Sequence, residues 1–326
     1  MRYHLALAAV LALNVSAARA DSIIALVGED ILATIDSRTA RTTGLVKLDG
    51  VGPALGIDVR PADGQLYVLA SDGTIAIIDP ATGKAIPKSK LDKLPPADVQ
   101  IAVDFNPVAD KMRIIGADGT NLRADVDSGK VTEDQPLKFA ANDPAAGRTP
   151  TILAGAYSNS VKGAKETTLY DIDALGGFFR QAPPNDGILN TIGMLGVSVD
   201  RLGFDIVADG TGTNTGMLVA NGKLFVLDLA TGKASGGKTI AGLPADVRDI
   251  AVLPSPMAKQ AANMMMDSGA MGVKAGAAMA PSYGAKPMSG DMMGNVAKPM
   301  PMKSSYSTGK MARIRGAQCP ERRAQY

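Results

Sequence analysis

One cysteine, one histidine and no tryptophan occur in 326 residues. The lone Cys319 cannot close an internal disulfide, so no covalent staple holds the fold. The lone His4 lies in a stretch expected to be removed, which leaves the mature chain without an imidazole. Ser–His–Asp and Cys–His machinery and His-ligated zinc are thereby excluded. No G-x-x-x-x-G-K-[ST] phosphate cradle occurs either. Aromatics are scarce, at 7 Tyr and 6 Phe, and the basic ending RIRGAQCPERRAQY is too short and too poor in them for a nucleic-acid platform. No apolar run reaches the ~20 residues that span a bilayer. Catalysis by carboxylates alone stays open, but no two acids pair convincingly in the sequence, and the balance falls against an enzyme.

What is present divides the chain in three. Residues 1–20 read as a secretory signal: Arg2, the apolar run Leu5–Leu13, then Ala18-Arg19-Ala20 as the A-x-A cleavage site. A periplasmic or secreted protein follows from it. Residues 21–254 form a mildly acidic body. Up to Leu253 it holds 22 Lys/Arg against 29 Asp/Glu, whereas the segment after it holds 10 against 3. That segment, 255–326, is rich in Met, Ala, Gly, Pro and Ser, and shows no apolar period of 2 or 3.6. Such a composition predicts a disordered basic tail.

The body is a repeat. LGIDVRPADGQLYVLASDGTIAIIDPATGK, Leu55–Lys84, reads as three short strands separated by Asp–Gly turns, with a fourth strand at Lys84–Leu91. Further units begin at Val99, Thr151 and Gly203. In the second of these four units, VTEDQPLKF reads as a single fourth strand. The N-terminal segment, Ser22–Gly50, has three strands and lacks the first; VRDIAVLP, Val247–Pro254, matches that first strand alone. Four-stranded units of 40 to 50 residues predict an all-β fold, a five-bladed β-propeller whose closing blade is split between the two ends of the body. A sandwich or solenoid is the alternative, but solenoid ends are capped rather than complementary.

LGIDVRPADGQLY, VDFNPVADKMRIIGADGTNLR, QAPPNDGILNT and LFVLDLATG resemble the exported bacterial family called domain of unknown function 4394. The resemblance covers Ser22 to about Leu253. It implies a propeller-like fold and no assigned activity.

Aligned first strands place Asp58, Asp104, Tyr157, Asp205 and Asp249 in one column. First strands line a propeller's axis, so these side chains are expected to converge there. Two roles are open to them: a divalent-cation or cationic-ligand site, or acceptors for backbone N–H groups of neighbouring blades, which recurrence in every blade favours. A second, non-periodic polar set comprises Asn106, Asn121, Arg123, Asn159, Asn185, Asp186 and Asn190. It offers either a ligand site, with Arg123 as an anion partner, or turn chemistry. The tail adds 12 methionines, among them Met264, Met265, Met266, Met292 and Met293, whose thioethers suit Cu(I); incidental or oxidant-absorbing Met is the alternative. The reading that results is a monomeric exported binding or scaffold module for an unknown ligand or protein. A carboxylate-based metal enzyme and a copper-binding tail are the alternatives.

Overall fold

A computed structural model describes residues 21–96 and 98–253. The expected signal, the tail and its Met264, Met265, Met266, Met292 and Met293 lie outside these residues. Strands dominate. Blade 1 takes β1 (Ser22–Val27), β2 (Ile31–Asp36) and β3 (Arg41–Lys47). Blade 2 follows with β4 (Ala54–Val59), β5 (Leu66–Ala70), β6 (Thr74–Ile78) and β7 (Ala85–Lys90). Blade 3 holds β8 (Ile101–Asn106), β9 (Lys111–Gly116), β10 (Asn121–Ala124) and β11 (Val131–Glu133). After β12 (Lys138–Phe139), blade 4 has β13 (Ile152–Tyr157), β14 (Leu169–Asp173), β15 (Gly177–Gln181) and β16 (Ile188–Met194). Blade 5 has β17 (Leu202–Ala208), β18 (Asn214–Ala220), β19 (Lys223–Leu227) and β20 (Ala234–Thr239). Finally β21 (Val247–Leu253) pairs antiparallel with β1 as the innermost strand of blade 1. The split blade is thus closed by the two ends of the body, which removes the open edges of a linear array. No helix among the described residues is long and apolar enough to cross a membrane.

Asp–Gly chemistry makes the turns. Asp63 accepts the Gln65 N–H at 2.9 Å and Asp72 that of Thr74 at 2.9 Å, each beside a glycine with positive φ. At the ends of β6, β10 and β19, Asp79, Asp125 and Asp228 cap the turns Asp79–Gly83, Asp125–Gly129 and Asp228–Gly232 in the same way. Gly129 is required twice over: its φ is 76°, and a Cβ there would stand 1.9 Å from the Lys90 carbonyl oxygen of the preceding blade.

Each blade is buried on both faces, and for that reason IIALV, LYVLA and ILAGAY are unbroken apolar runs. Five hydrophobic clusters fill the five spaces between blades. The innermost strands β21, β4, β8, β13 and β17 contact one another in a closed ring.

The stretch read as one strand, VTEDQPLKF, is two. Val131–Glu133 completes blade 3, whereas Lys138–Phe139 crosses to the outer edge of blade 4 and pairs parallel with β16. Asp134 turns inward to two arginines, and Pro136 has no N–H to continue the ladder. Blade 4 therefore has five strands rather than four.

Candidate functional site

The ring of innermost strands brings four carboxylates together, all nearly fully buried: Asp58 on β4, Asp104 on β8, Asp205 on β17 and Asp249 on β21. One oxygen from each of Asp58, Asp104 and Asp205 lies within 4.8 Å of the others. Each carboxylate accepts a backbone N–H from the next blade. Asp249 takes that of Ile57 at 3.0 Å, Asp58 that of Phe105 at 2.7 Å, Asp104 that of Tyr157 at 3.0 Å and Asp205 that of Val252 at 2.6 Å. Three of them also accept the following N–H of their own strand: Asp58 from Val59, Asp205 from Ile206 and Asp249 from Ile250. Four of the five blade junctions are latched in this manner. The fifth, between blades 4 and 5, is joined instead by a reciprocal amide pair. The Asn159 N–H donates to Asn214 Oδ1 at 2.7 Å, and Asn214 Nδ2 donates to Asn159 Oδ1 at 2.8 Å.

Burial pushes Asp58, Asp104 and Asp249 well above the usual carboxylate range, and repulsion among neighbouring acids adds to it. Asp205 is pushed up to about 6, again by burial. Among the described residues no Lys or Arg bonds to any of the four. Backbone N–H groups offset part of the desolvation, but so many buried carboxylates cannot all be ionised without a neutralising partner. That partner is either protons held by the acids or a cation between them.

Tyr157 departs from the expected ring. Its N–H serves Asp104, but its hydroxyl accepts from Arg113 Nε at 3.1 Å, in the space between blades 3 and 4. Arg113 is itself 1% exposed and donates to Asn121 Oδ1, Asp134 Oδ2 and Asn185 Oδ1 as well. Arg123 forks onto both oxygens of Asp134 at 2.7 and 2.8 Å. Asn121, Arg123 and Asn185 from the second polar set therefore do gather, around an arginine that the sequence reading passed over. Asn159, Asp186 and Asn190 do not join them, whereas Asn106 comes within reach of the Tyr157 hydroxyl. Asn106 caps its own turn through the Val108 and Ala109 N–H groups. Asn159 holds the blade 4–5 junction, Asn190 bonds carbonyls of its own blade and Asp186 is exposed in a short 3-10 turn. Arg113, Asp134, Asp171 and Gln181 were not anticipated; the available signal was a charged or amide residue inside otherwise apolar strands, as in KMRIIG and LYDID.

Comparison with known proteins gives a family model described as Domain of unknown function (DUF4394), which matches residues 30–251. No curated protein matches the chain. Among solved structures, a protein of unknown function from Bacteroides caccae is 12% identical, with 72% of this chain and 100% of that chain covered and a TM-score of 0.37. One from Bacteroides thetaiotaomicron VPI-5482 is 15% identical, with 72% and 65% covered and a TM-score of 0.44. The computationally designed Ika8 protein is 17% identical, with 69% and 63% covered and a TM-score of 0.32. The chain spans less than two thirds of the length of the last two.

Proposed function

The chain belongs to the DUF4394 family, whose description assigns no activity, and on that footing we propose that it acts as an exported binding or scaffold module rather than as a catalyst. The observation that carries this reading is the use made of the axial carboxylates. Asp58, Asp205 and Asp249 each direct both oxygens at backbone N–H groups, one of them across a blade junction. Acids engaged in this way rigidify a ring and are not free to act as base or nucleophile, and Asp104 gives one oxygen to the same use through the Tyr157 N–H. The sequence supports export through residues 1–20, and a rigid ring suits the display of loops to a partner in the periplasm or outside the cell.

A second reading is a divalent cation held at the axis by Asp58, Asp104 and Asp205. It is favoured by the 4.8 Å grouping of their oxygens, which falls within the span of ligands around one hard cation. Melting of the full-length protein at pH 7, after chelation and with or without added Ca²⁺, Mg²⁺ or Mn²⁺, separates the two. The scaffold reading expects no change in melting temperature. A rise of several degrees that disappears in Asp104→Asn replaces it with the cation reading, since a ligand of the native state stabilises by mass action. Covalent labelling of the protein by a fluorophosphonate overturns the non-catalytic assignment.

A further inference from the structure

The interface between blades 3 and 4 contains a buried carboxyl group outside the axial ring. Asp171, on β14, stands opposite Gly155 of β13 and Phe179 of β15 and is 0% exposed. Neither of its oxygens meets a hydrogen-bond donor among the described residues. Gly155 makes room for it: a Cβ there would lie 2.7 Å from Asp171 Oδ1 and 2.9 Å from Ile115 Cδ1 of blade 3. The side-chain oxygen of Gln181, on the neighbouring strand β15, is likewise buried without a donor.

The charged and titratable groups around this interface mostly serve one another. Arg113 of β9 gives its donors to Tyr157, Asn121, Asp134 and Asn185. Asp134 already neutralises Arg113 and also holds Arg123 of β10. Tyr157 of β13 faces Arg113. On β14 itself, Asp173 is satisfied by Arg148 and by the Leu175 and Gly177 N–H groups. An ionised Asp171 would be a second buried anion beside a guanidinium that already gives four of its five N–H groups to other partners. A bound proton neutralises it without any rearrangement.

We propose that Asp171 is a proton-held latch: it is buried as the neutral acid, and its ionisation weakens the contact between blades 3 and 4. Burial pushes the carboxyl up to about 8, with Arg113 opposing the rise. In the unfolded chain the same group titrates near 3.9. The folded state therefore binds a proton that the unfolded state has released between about pH 4 and pH 8, and stability falls as pH rises through that window.

The test compares urea unfolding of the wild type and Asp171→Asn at pH 5, 6 and 7. The folding constant of the wild type is expected to fall about tenfold per pH unit more steeply than that of the variant. Equal slopes overturn the proposal. If Asp171→Asn does not fold, carboxyl-carbon NMR of the wild type decides the matter. An Asp171 signal titrating near pH 8 supports the latch, and one titrating below pH 5 refutes it.

Discussion

Replacing Asp249 by alanine removes one latch at the closing blade. The Ile57 N–H, at 3.0 Å, and the Ile250 N–H, at 3.0 Å, both lose their acceptor. Both residues are almost wholly buried. No neighbouring side chain can fill the gap from Gly56, whose position lies against the carboxylate: a Cβ there would be 2.7 Å from Asp249 Oδ2. Each buried donor left unpaired costs roughly 1–3 kcal/mol, so the change costs about 2–6 kcal/mol before any relief of repulsion with Asp205. For a domain of this size that corresponds to a fall in melting temperature of roughly 5–20 °C. Asp249→Asn keeps one acceptor oxygen in place and removes the repulsion, so it should stay within about 1–2 kcal/mol of the wild type. Thermal and urea unfolding followed by circular dichroism measure both. If the alanine variant is as stable as the wild type, or more stable, the latch reasoning fails: the acids are then repelling one another rather than joining blades.

Two further outcomes follow from the same structure. Asp58, Asp104, Asp205 and Asp249 have folded-state values raised above the unfolded ones, so the stability they contribute is greatest below about pH 4 and is lost as pH rises toward their folded values. Exposed turn acids such as Asp72, lowered to about 2 by the Thr74 N–H and Lys90, act in the opposite sense and lose their contribution below about pH 4. Melting temperature should therefore peak near pH 5 and decline to pH 8, and a curve that rises from pH 5 to pH 8 contradicts the assignments. Arg113→Ala takes a buried donor from Asn121 and the Tyr157 hydroxyl while Arg123 still holds Asp134, and should cost about 2–4 kcal/mol in urea unfolding.

The architecture was legible because it repeats. A strand pattern that recurs four times, with its missing piece at the far end, leaves few topologies, and the same strand position in each unit delivered the aspartates to one place. Tyr157 shared that position but not the destination of its side chain. A tyrosine reaches well beyond an aspartate's length, and a buried hydroxyl goes to the nearest good donor, here Arg113. Arg113 itself was hidden in KMRIIG, where a single charge in a strand resembles a solvent-facing residue. Only the packing of blade 4 against it reveals burial. The same holds for Asp171 in LYDID. Asn106 and Asn190 looked like candidates because turn chemistry and ligand chemistry use the same residues. Pro136 carried the signal that splits VTEDQPLKF, although where the second piece pairs depends on the neighbouring blade.

Amide hydrogen exchange at Ile57, Phe105, Tyr157 and Val252 tests the latch account most directly, since these are the N–H groups that the axial carboxylates take across blade junctions. The account predicts that all four exchange only through global unfolding, and that Asp249→Ala, which removes the acceptor altogether, accelerates Ile57 more than Phe105, Tyr157 and Val252. Rapid exchange at these amides in the wild type, or an Ile57 rate untouched by the substitution, would contradict it.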